Sequence, residues 1–168
     1  MTDVAPGALL QERVNDMNTT NHIESAETSG TLPPFTFLQK VQFKHCDPAG
    51  IVFYPRFIEM INDTVEAMFD KALGWPFEVL LRDGGVPTAS IGVDFLTPSR
   101  HGDQLDIVID IEKLERASMG LVITALSGGS IRFRESMTLA YIDGDDRPQP
   151  WPDTVRSQIT HKGKLAWA

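Results

Sequence analysis

The residues with the most chemical content stand together in His45-Cys46-Asp47-Pro48-Ala49-Gly50, with Tyr54 and Pro55 close behind. A carboxylate beside an imidazole and a thiol offers a general base or a nucleophile. A helix starting just downstream offers free backbone N–H groups and the positive end of its dipole to a developing oxyanion. Plainer readings compete. Asp followed by Pro is an ordinary N-cap and N1 pair, although Gly50 and Pro55 argue that the helix starts later and leaves Asp47 on a loop facing a cleft. His45 and Cys46 are neighbours at a strand end and point to opposite sides, so they need not meet. Cys46 reads as a small buried residue, and His45 either orients the loop or faces the cleft. Glu59, Asn62, Asp63 and Glu66 are acid/base candidates or solvated helix positions, and His101 reads as a turn residue. One cysteine with scattered histidines is a poor start for a metal site, and none is expected.

The elements that must position this segment follow from the periodicity. Phe35, Phe37, Val41 and Phe43 alternate with Thr36, Leu38, Lys40 and Gln42 in a first strand interrupted by Gln39. Ile51 to Leu73 then reads as one long apolar helix that begins near Ile51–Phe53, spans about 34 Å and stops at Gly74. Alternation returns four times: at Ala89, Ile91, Val93 and Phe95; at Leu105, Ile107, Ile109 and Ile111; at Met119, Leu121, Ile123 and Ala125; and at Ile131, Phe133, Met137, Leu139 and Tyr141. Ser127-Gly128-Gly129 marks a hairpin turn, and a short helix over Asp153–Ile159 closes the chain. One strand, an apolar helix and four long strands predict an α+β fold, an antiparallel sheet curled around a single helix.

The 168 residues suffice for one domain with a sizeable core. Residues 1–34 read as a flexible, acidic extension, 35–160 as the folded domain and 161–168 as a tail. The net charge is −8, of which Arg13 against Asp3, Glu12, Asp16, Glu24 and Glu27 supplies half. No basic stripe is present to neutralise phosphates, so nucleic-acid binding is excluded as an expectation. No apolar run reaches the length of a membrane span, and the N-terminus lacks the pattern of a secretion signal. A lone cysteine fits a reducing, cytoplasmic setting. Gly84-Gly85 and Gly128-Gly129 lack the spacing of a phosphate-binding loop, which leaves nucleotide hydrolysis and hydride transfer without support.

The run from Phe43 to Phe57, FKHCDPAGIVFYPRF, resembles the signature of the 4-hydroxybenzoyl-CoA thioesterase family of hotdog-fold proteins, in which D-P-A-G-I-V is followed by an aromatic residue and Tyr-Pro. The resemblance extends over about residues 35–160, through Val86-Pro87-Thr88 and Pro98 to Asp103. It implies a hotdog fold, a five-stranded antiparallel sheet wrapped around the long helix, assembled as a homodimer or homotetramer. It implies hydrolysis of an acyl-CoA ester with no cofactor, Asp47 as nucleophile or general base, and the Tyr54 amide as the oxyanion donor. His45, Gly50, Phe53 and Phe57 are then expected to bind substrate, with a short or aromatic acyl group lying against Phe53, Tyr54 and Phe57. The family varies at the position of His45, and the acidic extension is no part of its pattern. A related branch carries its carboxylate on the helix, which keeps Glu59 and Glu66 as alternatives to Asp47. Arg100, Arg116, Arg132 and Arg134 are the nearest basic residues for the CoA phosphates, or else solvated strand-end charges. Two rival readings remain: a non-catalytic module binding acyl-CoA or an acyl-carrier protein, and a dehydratase, whose usual His/Asp pattern is not visible.

Overall fold

The structure is a computed structural model and describes residues 33–161. A helical turn expected near Leu9–Met17 lies outside the described residues. The chain forms β1 (Phe35–Lys40), a 3-10 turn (Phe43–His45), α1 (Tyr54–Lys71), α2 (Phe77–Leu80), β2 (Gly84–Gly85) and β3 (Thr88–Phe95). It continues with β4 (Gln104–Leu114), β5 (Ser118–Ser127), β6 (Ser130–Ala140), β7 (Ile142–Asp143) and α3 (Asp153–His161).

The alternating apolar residues do what period-2 segments do when one face is buried: they pair antiparallel and turn that face to a helix. Five strands make one sheet in the order β1-β4-β5-β6-β3, each pairing antiparallel. Ile107 and Ile109 of β4, Leu121 and Ile123 of β5, and Phe133 and Leu139 of β6 are buried on its inner face. Against them α1 packs Phe57, Met60, Ile61, Val65, Met68 and Phe69. This is the expected wrap of sheet around helix. Gly128 and Gly129 both take positive φ, 57° and 78°, which is what a tight two-residue turn between β5 and β6 requires. Beyond the C-terminal end of α1, Trp151 stacks on Tyr141 at 5.4 Å and approaches Phe69 at 6.3 Å, closing the core.

Four details differ from the sequence reading. The helix begins at Tyr54 rather than near Ile51 and has 18 residues, about 27 Å of rod. Its expected first turn is instead a loop whose backbone groups are spent elsewhere: Cys46 and Val52 form a β-bridge, and Phe53 N–H donates to the His45 carbonyl at 3.0 Å. Phe43 is not in the first strand but on the 3-10 turn, 83% exposed. The segment around Gly84-Gly85 is not merely a loop: it pairs with β7, and a Cβ on Gly84 would collide with the Ile142 carbonyl oxygen. Lastly, Ile91 and Phe95 share the inner face with their β6 partners Met137 and Phe133, yet remain exposed because β3 is the sheet edge.

Candidate active site

The loop before α1 is built around Asp47. Its backbone N–H donates to the Ile51 carbonyl at 2.9 Å, and its Oδ1 accepts from the N–H of Ala49 at 2.8 Å and of Ile51 at 3.4 Å. Gly50 closes the turn with a positive φ of 77°, a conformation that a side chain would strain. The N-cap of α1 is Phe53, with no side-chain cap bond, so the Asp47 carboxylate holds its own turn and not the helix end. Only Oδ1 is engaged in this way, which leaves Oδ2 without a protein partner among the described residues.

Asp47 lines a cleft of about 500 Å³ together with Phe53, Tyr54, Phe57, Phe95 and Ser99. Tyr54 is the first residue of α1, and an N–H at that position has no acceptor within the helix. The helix end thus brings a free donor and the positive end of an 18-residue dipole to the cleft that holds a carboxylate. Phe57 is 5% exposed and forms the cleft's inner wall, its ring 5.6 Å from Phe95 and 5.3 Å from Phe133. Phe53 stands edge-on to Tyr54 at 5.3 Å on the more exposed side.

The other candidates are placed elsewhere. His45 is buried, and its Nδ1 accepts the Gln42 N–H at 2.9 Å, so it braces the 3-10 turn. Burial, and then the positive charges of Lys44 and Arg56, hold its pKa below the ordinary histidine value and keep the ring neutral. It lines a smaller hollow on the other side of Asp47, together with Lys44, Cys46 and Arg56. Gly50 shapes the turn without lining the main cleft. Glu59 is exposed and paired with Arg56 at 2.7 Å, while Glu66 lies in a separate acidic groove near Phe77. His101 sits in an exposed turn, edge-on to Phe43 at 6.2 Å. Among the described residues, no group of three or more His, Cys, Asp or Glu could hold a metal ion.

One residue escaped the sequence reading. Glu135 falls on the inner face of β6 between Phe133 and Met137, paired in register with Val93 and Ile123. It is 3% exposed, and neither carboxylate oxygen has a hydrogen-bond partner. Loss of hydration pushes its pKa up to about 7. The signal was available: the inward period of Ile131, Phe133, Met137 and Leu139 has a gap that only residue 135 fills.

The family model of the thioesterase-like superfamily matches residues 41–159, and the chain belongs to that family. No match is found among curated proteins. Among solved structures, a 1,4-dihydroxy-2-naphthoyl-CoA thioesterase from Synechocystis is similar with a TM-score of 0.71 at 18% identity, covering 76% of this chain and 96% of that one. The 4-hydroxybenzoyl-CoA thioesterase from Pseudomonas sp. strain CBS-3 is similar with a TM-score of 0.65 at 25% identity, covering 75% and 99%. A thioesterase from Thermus thermophilus, complexed with coenzyme A and Zn, gives a TM-score of 0.67 at 23% identity, covering 83% and 100%. The fold is the hotdog fold of these thioesterases.

Proposed function

We propose that the protein is an acyl-CoA thioesterase that hydrolyses short or aromatic acyl-CoA esters to the free acid and CoA. The observation that carries this reading is the meeting, in one cleft, of the Asp47 carboxylate and the N-terminus of α1, in a chain of the thioesterase-like superfamily. A thioester carbonyl lacks amide resonance, so its carbon accepts attack once its oxygen is held by a good donor. The Tyr54 N–H would hold that oxygen as it gains charge, and the helix dipole adds to the same effect. Asp47 supplies the carboxylate that brings oxygen to the carbon, by attacking it or by drawing a proton from water. The C–S bond then breaks and the sulfur takes up a proton and leaves as the CoA thiol; where Asp47 is the attacking group, water then hydrolyses the mixed anhydride, releasing the acid and restoring the carboxylate.

The acyl preference rests on Phe53, Tyr54, Phe57 and Phe95, which line the cleft. Offset or edge-on packing of a flat ring against such side chains contributes about 1 kcal/mol beyond burial, enough to shift selectivity severalfold. We expect kcat/KM for benzoyl-CoA and 4-hydroxybenzoyl-CoA to exceed that for palmitoyl-CoA. A palmitoyl value above both aromatic ones would refute the aromatic assignment and leave the thioesterase reading standing.

The working unit in this reading is a homodimer or a tetramer built from it. The free edge of β3 presents unpaired backbone groups beside the exposed side chains of Ile91 and Phe95, and pairing with the β3 of a second copy would satisfy both. Sedimentation at micromolar concentration should then give at least twice the 18.6 kDa chain mass, and a lone 18.6 kDa species would overturn the assembly.

A further inference from the structure

The cleft's second wall is fixed by a residue that does not line it. Antiparallel pairing of β5 with β6 slips between Ala125 and Leu126, whose partners are Phe133 and Ile131, so Arg132 is an extra residue with no partner on β5. A bulge of this kind re-aims a side chain out of the regular pleat. Arg132 is the largely buried result, with its side chain 15% exposed. Its Nη1 donates to the Pro98 carbonyl at 2.7 Å, and its Nη2 lies 3.4 Å from Asp103 Oδ2. Its own carbonyl accepts the N–H groups of Leu96 and Thr97 at 2.9 and 3.2 Å.

The segment held in this way touches the catalytic loop directly. Asp103 Oδ2 also accepts the Arg100 N–H at 3.0 Å, so one ion pair pins both ends of the turn from Pro98 to Asp103. Between those ends, the Ser99 carbonyl accepts the Val52 N–H at 2.9 Å. Val52 is bridged to Cys46, next to Asp47, and stands two residues before Tyr54. A shift of the 98–103 turn therefore displaces the loop that carries the carboxylate and leads into the oxyanion donor at the start of α1. Reactions that depend on placed groups lose rate steeply when placement slips by a fraction of an ångström to an ångström.

We propose that Arg132 is a positioning residue for hydrolysis, clamping the 98–103 turn so that Ser99 holds Val52, and with it Asp47 and the Tyr54 amide, in register. The inference rests on the thioesterase reading above. It also removes Arg132 from the basic residues available to the CoA phosphates, since both Nη atoms are engaged within the protein and Nε is buried. A lysine could keep the charge near Asp103 but not the two-pronged grip on Asp103 and the Pro98 carbonyl at once.

The test compares wild type, Arg132→Gln, Arg132→Lys and Asp103→Ala with benzoyl-CoA, at a temperature where circular dichroism shows each fully folded. We expect Arg132→Gln to lower kcat by at least about tenfold with KM changed by less than about threefold, and Arg132→Lys to recover part of the loss. Should Arg132→Gln not fold, Asp103→Ala carries the test, because it removes the oxygen that accepts from both Arg132 and the Arg100 N–H. It is expected to show the same split between kcat and KM. A purely structural Arg132 would lower the melting temperature and leave the kcat of folded enzyme unchanged, and that result would overturn the proposal. Wild type without hydrolysis would overturn the thioesterase reading and this inference together, whereas active wild type with unaltered clamp variants overturns the clamp alone.

Discussion

Asp47→Asn should retain the fold and bind a CoA ester while losing turnover by about 10²-fold or more, the scale of removing a catalytic acid/base group. The substitution is informative because of how the carboxylate is used. Oδ1 holds the N–H groups of Ala49 and Ile51, and an asparagine carbonyl oxygen can accept the same two bonds. The turn therefore survives, and what disappears is the negative charge and the basic, nucleophilic oxygen at Oδ2. Steady-state kinetics on benzoyl-CoA, with calorimetric titration of a non-hydrolysable analogue, separate the two effects. Unchanged affinity with a collapsed kcat is the expected pattern. Hydrolysis near the wild-type rate would mean that Asp47 serves its turn alone and would move attention to Glu59 or Glu66.

Glu135→Gln should raise stability, and by an amount that grows with pH. The folded-state pKa lies near 7 because burial penalises the charged form, against 4.5 for the ordinary carboxyl. Below about pH 4.5 both folded and unfolded chains carry the proton, and Glu135 makes no charge-dependent contribution. As pH rises from there to about 7, the unfolded chain ionises while the folded one keeps its proton, so stability falls across that window. Above it both forms are ionised and the full penalty remains, on the order of 3 kcal/mol for a shift of this size. No titratable residue lies on the buried face of α1, the strand neighbours in register are Val93 and Ile123, and among the described residues neither carboxylate oxygen has a partner to offset the charge. Urea unfolding of both proteins at pH 4 and pH 8 checks this. The difference in unfolding free energy should be small at pH 4 and about 3 kcal/mol in favour of glutamine at pH 8. Equal differences at the two pH values would show that the glutamate finds a partner.

The fold was largely legible because its core obeys simple periods. Leu105, Ile107 and Ile109, then Met119, Leu121 and Ile123, alternate without a break, and each of these side chains is fully or almost fully buried. The start of α1 was harder to see, since Ile51, Val52 and Phe53 continue the apolar run in sequence. Only long-range bonds, such as Val52 N–H to the Ser99 carbonyl, show that they are loop. The candidate site residues on that loop were legible as a motif, but the hydrogen bonds that each makes were not. Which oxygen of Asp47 holds the turn, and that the His45 ring braces Gln42, are facts of three-dimensional placement. The Arg132 clamp joins residues 34 positions apart through a strand bulge, and no periodicity announces it. Glu135 was within reach, because its position in the inward series was visible even though its residue type argued against burial.

Turnover of a CoA thioester in this cleft is the property on which the proposed function stands or falls. Its most direct test follows free thiol and free acid together as wild-type protein acts on 4-hydroxybenzoyl-CoA. One CoA thiol and one 4-hydroxybenzoate should be released for each ester consumed, over many turnovers and well above the buffer rate. Saturable binding of the ester with no thiol release above buffer would contradict the proposed function and identify a binding module instead.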